Sequence, residues 1–378
     1  MGLLSLGAAR SVANSGEGLS AGPGEAARDE RALIVRSRRP LNLETPIAAL
    51  DHRPTPNDLF FVRSHFGAPA VDLIPWEVEV VGLVRRPLRL TLEALGRFEQ
   101  ATKTAVLQCA GNGRGLYRPR VPGVPWERGA VGQAEWSGIR LIDLLERAGL
   151  PEGAAHVHFQ GGDAPPSPKV PAFVRSIPLD RARDPSTLLA LRMNGEPLPA
   201  IHGGPVRLIV PGWAGNNWLK WIRRIVVARE EAPGFYMQTA YRMHRTPVPP
   251  GAAPAGVPLD PVGWMNVKSL ITWPVRDGIL PAGRAEVRGI AWTGQGYVTR
   301  VDVRIDPGGR WLAATLLGDA EQGAWRPWRL SWQPAARGRH VIAARATDSM
   351  GQVQPETPAW NRSGYLWNGF DTVACEIR

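Results

Sequence analysis

Between His244 and Asp260 the chain runs through Thr-Pro-Val-Pro-Pro-Gly-Ala-Ala-Pro-Ala-Gly-Val-Pro, and no regular element can pass through it intact. Proline lacks the amide donor that helices and ladders need, and glycine leaves the backbone loosely restrained. A chain of 378 residues is also longer than one ordinary core requires, so two globular units joined by a linker at 246–266 are expected.

The patterns on the two sides differ. In 33–245 short strand and helix signals mix. Trp76, Val78 and Val80 alternate with Glu77 and Glu79, the period of a half-buried strand. A short helix is expected from about Thr91. Another over Ile139 to Ala148 puts Leu141, Leu144, Leu145 and Ala148 on one face and ends at Gly149. Val206 to Val210 and Ile222 to Val227 are further strands. No sustained βαβ alternation points to a doubly wound parallel sheet, so this unit is expected to be α+β. In 267–378 strands at Ala285 to Ala291, Val298 to Ile305, Trp328 to Trp332 and Val341 to Thr347 are separated by turn signals such as Asp306-Pro307-Gly308-Gly309. That spacing predicts an all-β, immunoglobulin-like antiparallel sandwich.

Residues 1–32 are rich in Gly, Ala, Ser and Glu, and are expected to be a disordered N-terminus or the remnant of an export signal. No run of about eighteen apolar residues is present, so no membrane span is expected. The net charge of +11 invites a nucleic-acid partner, but the arginines are scattered among prolines and glycines, with no basic helix, RNA-binding motif or zinc finger. A small anion or an acidic protein partner accounts for the charge equally well.

The two cysteines, Cys109 and Cys375, stand far apart with no metal-type or haem-type spacing. Cys375, in strand-like Thr-Val-Ala-Cys-Glu-Ile, reads as packing. Cys109 is different. Ala105-Val-Leu-Gln-Cys109-Ala-Gly-Asn-Gly-Arg114 is an apolar strand running into a thiol, followed by Gly111 and Gly113, which let the backbone approach something closely. On the residues alone a thiolate ligand to a soft metal, a nucleophile and an inert buried thiol all remain open. His156 and His158, two apart on an expected strand, lack a third ligand at convincing spacing and read as ordinary strand residues.

Several spaced motifs in order resemble one family. Gln108-Cys109-Ala110-Gly111-Asn112 followed by Arg114 resembles the molybdenum-ligand loop of sulfite oxidases and plant-type nitrate reductases. Phe61-Val62-Arg63-Ser64-His65, Trp126-Glu-Arg-Gly129-Ala130 and His202-Gly-Gly-Pro-Val-Arg207 through Val210-Pro-Gly212 to Lys220-Trp221 resemble further segments of the sulfite oxidase family. The tail, with Ile305 to Trp311 and Trp360-Asn361, resembles its dimerisation domain. The match covers roughly 33–378.

The resemblance implies a molybdopterin-binding domain at 33–245 and a β-sandwich dimerisation domain at 267–378. It implies Mo-molybdopterin as cofactor, with Cys109 as the protein ligand to the metal. The pterin and its phosphate are expected at Phe61, Val62, Arg63, Ser64, His65, Asp163, His202, Arg207, Trp218, Leu219 and Lys220. Arg63 and Arg114 are expected to form an oxyanion pocket with Trp126 as a wall, since fixed positive charge in a partly dry cleft holds an anion well. The implied activity is oxidation of sulfite to sulfate by oxo transfer. The chain carries no haem-binding cysteines, so electrons are expected to pass to a separate haem protein such as a cytochrome.

Other oxo-transfer reactions are carried as alternatives (sulfane dehydrogenase, sulfoxide or nitrate reductase), and more remotely a non-catalytic basic binding protein. A periplasmic location is expected if a longer signal-bearing precursor exists, otherwise a cytoplasmic one. Three departures are visible. Phe173 falls where the family's active-site tyrosine is expected, so a pocket hydroxyl is expected to be missing. Ser363 replaces an expected pocket arginine, with Arg362 displaced by one. Gly113 stands where vertebrate and plant relatives carry arginine.

Overall fold

The computed structural model describes residues 32–71, 75–252 and 256–378. The expectation for 1–32 therefore lies outside the described residues apart from its last position. Among the described residues no helix is long and apolar enough to cross a membrane.

Two five-stranded sheets organise the first unit. One joins Leu88–Thr91, Glu77–Gly82, Ile222–Ala228, His156–Gly161 and Val174–Pro178 in that spatial order. Only Glu77–Gly82 against Ile222–Ala228 is parallel; the other pairs are antiparallel. Val78 and Val80 are fully buried while Glu77 and Glu79 stay half-buried, as the alternation requires. The second sheet pairs Gln100–Gln108 with Val131–Arg140 along nine positions, from Gln100↔Ile139 to Gln108↔Val131. Leu188–Met193 lies on the far side of Val131–Arg140, and Arg207–Ile209 pairs with Leu188–Met193.

Helices are few and short. Leu92–Gly96 is capped by the Thr91 hydroxyl, which accepts from the Ala94 amide at 3.2 Å. Leu141–Ala148 follows its strand directly, buries Leu141, Leu144, Leu145 and Ala148, and ends at Gly149 with φ 77°. The helix begins two residues later than the periodicity suggests, because Ile139 and Arg140 are still held in the ladder.

The proline-rich stretch is more structured than its composition suggests. Leu259–Pro261, inside the expected linker, pairs antiparallel with Arg242–His244. A proline tolerates such an edge position because it has no inward amide to satisfy there.

Beyond it lies the sandwich. One sheet carries Lys268–Trp273, Ala285–Trp292, Arg326–Trp332 and Thr315–Leu316; the other carries Gly278–Leu280, Asp371–Ile377, Gly338–Asp348, Val298–Ile305 and Trp311–Ala313. Val287, Val301, Val303, Trp328, Ile342, Val373 and Cys375 share its core, so Cys375 is packing as expected.

The two units interlock where the Cys109 strand ends. Trp292 Nε1 donates to Gln108 Oε1 at 2.8 Å, the Trp325 amide donates to Gln133 Oε1 at 2.7 Å, and Arg128 pairs with Asp371 at 2.8 Å, buried.

Candidate active site

The strand Gln100–Gln108 delivers Cys109 to the wall of a cavity, and hydrogen bonds fix the loop that follows. The Cys109 amide donates to Ala130 O at 2.9 Å, the Asn112 amide to Cys109 O at 2.9 Å, and the Ala130 amide to Asn112 Oδ1 at 3.2 Å. Cys109 as a whole is left 8% exposed, on the cavity wall.

The two glycines of the loop have specific neighbours. A Cβ at Gly111 would lie 2.6–2.8 Å from the Arg114 guanidinium, and one at Gly113 would lie 2.8–2.9 Å from the Trp367 side chain. Gly113 also has φ 86°, the left-handed region that disfavours a side chain. The close approach read from these glycines is therefore to Arg114 and to an indole of the second unit.

Of the expected site residues, Phe61, Val62, Arg63, His65, Cys109, Asp163, His202, Arg207, Trp218, Leu219 and Lys220 line one cavity. Ser64 lies just outside it, on an adjoining groove, with its hydroxyl accepting from Lys220 Nζ at 3.0 Å.

Two expected pocket residues sit differently. Arg114 does not reach the lining, because its Nε donates to Ser363 O at 2.9 Å and its Nη1 to Val124 O at 3.2 Å. Trp126 is fully buried behind Phe61, edge to face at 6.4 Å, so it supports the wall without forming it. The expected oxyanion pair thus reduces to Arg63 at the cavity surface.

The expected lack of a hydroxyl is corrected. Tyr241 lines the cavity, and its hydroxyl shares a hydrogen bond with His65 Nε2 at 2.6 Å. Phe173 stacks on the other side of this arrangement, with ring centroids 4.0 Å from His65. Tyr241 was missed because it precedes the proline-rich stretch without a motif of its own; its left-handed backbone, φ 56°, is a structural mark that leaves no sequence signal. Asn216, also on the lining, was missed too, although it lies inside the stretch from His202 to Lys220. Arg362 is exposed, and Ser363 meets the site through its carbonyl only.

The electrostatics are those of an anion site. Arg207 is buried and donates to His202 O at 2.6 Å, while its Nε has no partner. Burial pulls its guanidinium down to about 9. Lys220 donates to Ser64 Oγ and to Ile201 O at 3.2 Å; burial, then Arg207, depresses its ammonium well below the usual lysine range. Neither cation has a carboxylate within ion-pair distance among the described residues. Asp163, raised by burial, is the carboxylate on the lining. His65 is pushed well below 6.5 by burial and then by Arg63, and His202 down to about 4 by burial, so both rings are neutral at neutral pH.

These features fit molybdopterin. Its phosphate needs cations held out of bulk water without carboxylate partners, which the buried Arg207 and half-buried Lys220 provide, and its ring heteroatoms suit neutral imidazoles and the unpartnered Asn216 Oδ1. The single thiol suits a metal whose other sulfur ligands come from the cofactor. By contrast, His158 is engaged with Glu230 O at 2.7 Å, and among the described residues no cluster of three His, Cys, Asp or Glu side chains gathers as a metal site.

Comparison with known proteins agrees. Residues 65–236 match the oxidoreductase molybdopterin binding domain, and residues 261–377 match the Mo-co oxidoreductase dimerisation domain. Sulfite oxidase of Gallus gallus is 40% identical over 358 residues, covering 88% of this chain and 76% of that protein. Sulfite oxidase of Arabidopsis thaliana is 32% identical, covering 92% of this chain and 94% of that one. The chain spans only 65–66% of mammalian mitochondrial sulfite oxidases such as those of mouse and human, at 38% and 39% identity. The crystal structure of the sulfane dehydrogenase SoxCD from Paracoccus pantotrophus superposes with a TM-score of 0.78 at 29% identity, covering 94% of this chain and 95% of that one. The chain belongs to the sulfite oxidase family of molybdopterin-dependent oxidoreductases.

Proposed function

We propose that this protein oxidises sulfite to sulfate, taking the added oxygen from water and releasing two protons and two electrons, the electrons passing singly to a separate haem protein. One observation carries the reading. The Cys109 thiol opens into a cavity where Arg63 faces the same space, and the buried Arg207 and half-buried Lys220 lack carboxylate partners among the described residues.

In this reading molybdenum, held by Cys109 and the pterin, supplies the two-electron oxo transfer when bound. Arg207, Lys220, His202 and Asn216 hold the pterin and phosphate. Arg63 attracts the anion, and the Tyr241 hydroxyl, held at its angle by His65, points a hydrogen-bonding group toward substrate oxygen. Phe61 and Trp126 keep the wall apolar, which strengthens each of these contacts by excluding water. The relation of residues 261–377 to the family's dimerisation domain supports a homodimer through the sandwich. A second reading, oxidation of a sulfane sulfur, is favoured by the likeness to SoxCD.

The test is purification from a host that makes the cofactor, followed by molybdenum analysis and sulfite titration watched by optical and EPR spectra. Molybdenum near one per chain and reduction by sulfite, with cytochrome c as terminal acceptor, are expected. In Cys109→Ser, turnover should fall by at least about 10³, since a thiolate ligand is lost outright. Bound molybdenum that a sulfane donor reduces and sulfite does not would move the substrate to the second reading.

A further inference from the structure

A buried cation stands beside the cavity with no part in holding the cofactor. Arg175, on the strand Val174–Pro178, is 1% exposed and makes no ion pair among the described residues. Glu231, the acidic group that acts on it, is itself paired with Arg242. Arg175 Nε has no hydrogen-bond partner. A guanidinium held this way loses its hydration with little in return, unless a negative charge arrives nearby.

Its surroundings show where that charge belongs. Arg175 Nη2 donates to Asn217 Oδ1 at 2.8 Å, in the turn Gly215–Asn217 whose Gly215 and Asn216 line the cavity. Nη1 donates to Tyr236 O, in the short helix that leads into Tyr241. The guanidinium carbon lies 5.6 Å from the centroid of the Tyr241 ring. Tyr241 stacks on Tyr365 at 5.3 Å, and the Arg114 guanidinium lies 5.4 Å from the Tyr365 centroid. Contacts therefore run from Arg114 through two stacked tyrosines to Arg175, so that two positive charges flank the pair whose one hydroxyl faces the cavity.

We propose that Arg175, held against the 215–217 turn and the Tyr241 ring, adds positive charge to the anion pocket from behind that ring and so selects a doubly charged substrate. This rests on the sulfite reading for the identity of the substrate, but not for the anion binding itself. Charge placed behind a ring in a partly dry site reaches the cavity with little screening, and one unit at about 10 Å changes anion affinity roughly tenfold.

The experiment uses the molybdenum-loaded protein and three variants, Arg175→Met, Arg175→Gln and Arg175→Lys, each checked for molybdenum content. Calorimetry with sulfate reads anion binding whether or not sulfite turns over, so failure of the sulfite reading and failure of this one are distinguishable. In Arg175→Met and Arg175→Gln the sulfate Kd and the KM for sulfite are both expected to rise about tenfold, with kcat within about threefold of the parent. Arg175→Lys should keep most of the affinity, because it keeps the charge. The neutral dimethyl ester of sulfite should be processed equally by all four proteins. Arg175→Gln can retain the bond to Asn217 and keeps the test open if the methionine variant does not fold. The proposal is overturned if sulfate affinity is unchanged in both uncharged variants, if the lysine variant is as impaired as they are, or if the neutral ester suffers equally.

Discussion

Gly113 shows how a single position can record a contact across the molecule. Its φ of 86° and the 2.8 Å approach to Trp367 both disfavour a side chain there. The indole and the missing side chain occupy the same volume. Gly113→Ala is therefore expected to cost about 2 kcal/mol or more, from left-handed strain and overpacking together. Combining it with Trp367→Ala should recover about 1 kcal/mol or more relative to the sum of the two single changes in urea unfolding. Strict additivity would mean that the two residues do not compete for space. At this scale the sequence spoke unevenly. Glycines around a thiol announce a close approach, but not whether the visitor is a cofactor, Arg114 or Trp367. Tyr241 announced nothing, because what makes it a site residue is the turn and the His65 ring that fix its hydroxyl, and both come from distant segments.

The strand Lys268–Trp273 raises a different problem, since its first residue is a lysine only 1% exposed. Lys268 Nζ has no hydrogen-bond partner; it lies 4.8 Å from the Trp367 ring centroid and 5.8 Å from that of Trp292. Burial pulls its ammonium down to about 7, with the Asp371 carboxylate opposing. An unfolded lysine titrates near 10.5, so between about pH 7 and pH 10.5 the unfolded chain binds more protons than the folded one. Stability from this group therefore rises with pH across that window, by up to about 1.4 kcal/mol per unit, and is flat below it. Lys268→Met should raise the thermal midpoint at pH 6.5 and remove this slope; an unchanged slope in denaturation series at several pH values would clear Lys268 of the role. Elements of this kind were legible where alternation was clean, as in Val78 and Val80 or in Val301, Val303 and Ile305. They were not legible where tertiary contact decides. The Arg242–His244 and Leu259–Pro261 ladder hides in a proline-rich stretch, and two residues expected in the helix ending at Ala148 stay in the sheet, because ladder partners outbid local periodicity.

At the scale of the whole protein, the cavity concentrates like charge within the first unit. Arg63, Arg207 and Lys220 line it with Asp163 as the carboxylate among them, and Arg114 and Arg175 stand behind. Burial lowers the ammonium of Lys220 and the guanidinium of Arg207, and neither has a carboxylate within ion-pair distance among the described residues, so an anion arriving beside them is favoured. The same unit is tied to the sandwich by Trp292 to Gln108 and by the buried Arg128–Asp371 pair. The cofactor-free protein, made in a host unable to complete molybdopterin, should therefore gain stability from small oxyanions that fill the phosphate position. At matched ionic strength, phosphate at about a hundred times its Kd is expected to add about 2.7 kcal/mol over chloride, seen as a higher midpoint of one cooperative transition. The cofactor-loaded protein should show no such gain, because that position is then filled. Arg207→Met should also remove the gain, since it takes away a buried cation of the phosphate cradle. Equal midpoints in phosphate and chloride for the cofactor-free protein would show that the cations are satisfied by water, and that the cavity does not demand an anion.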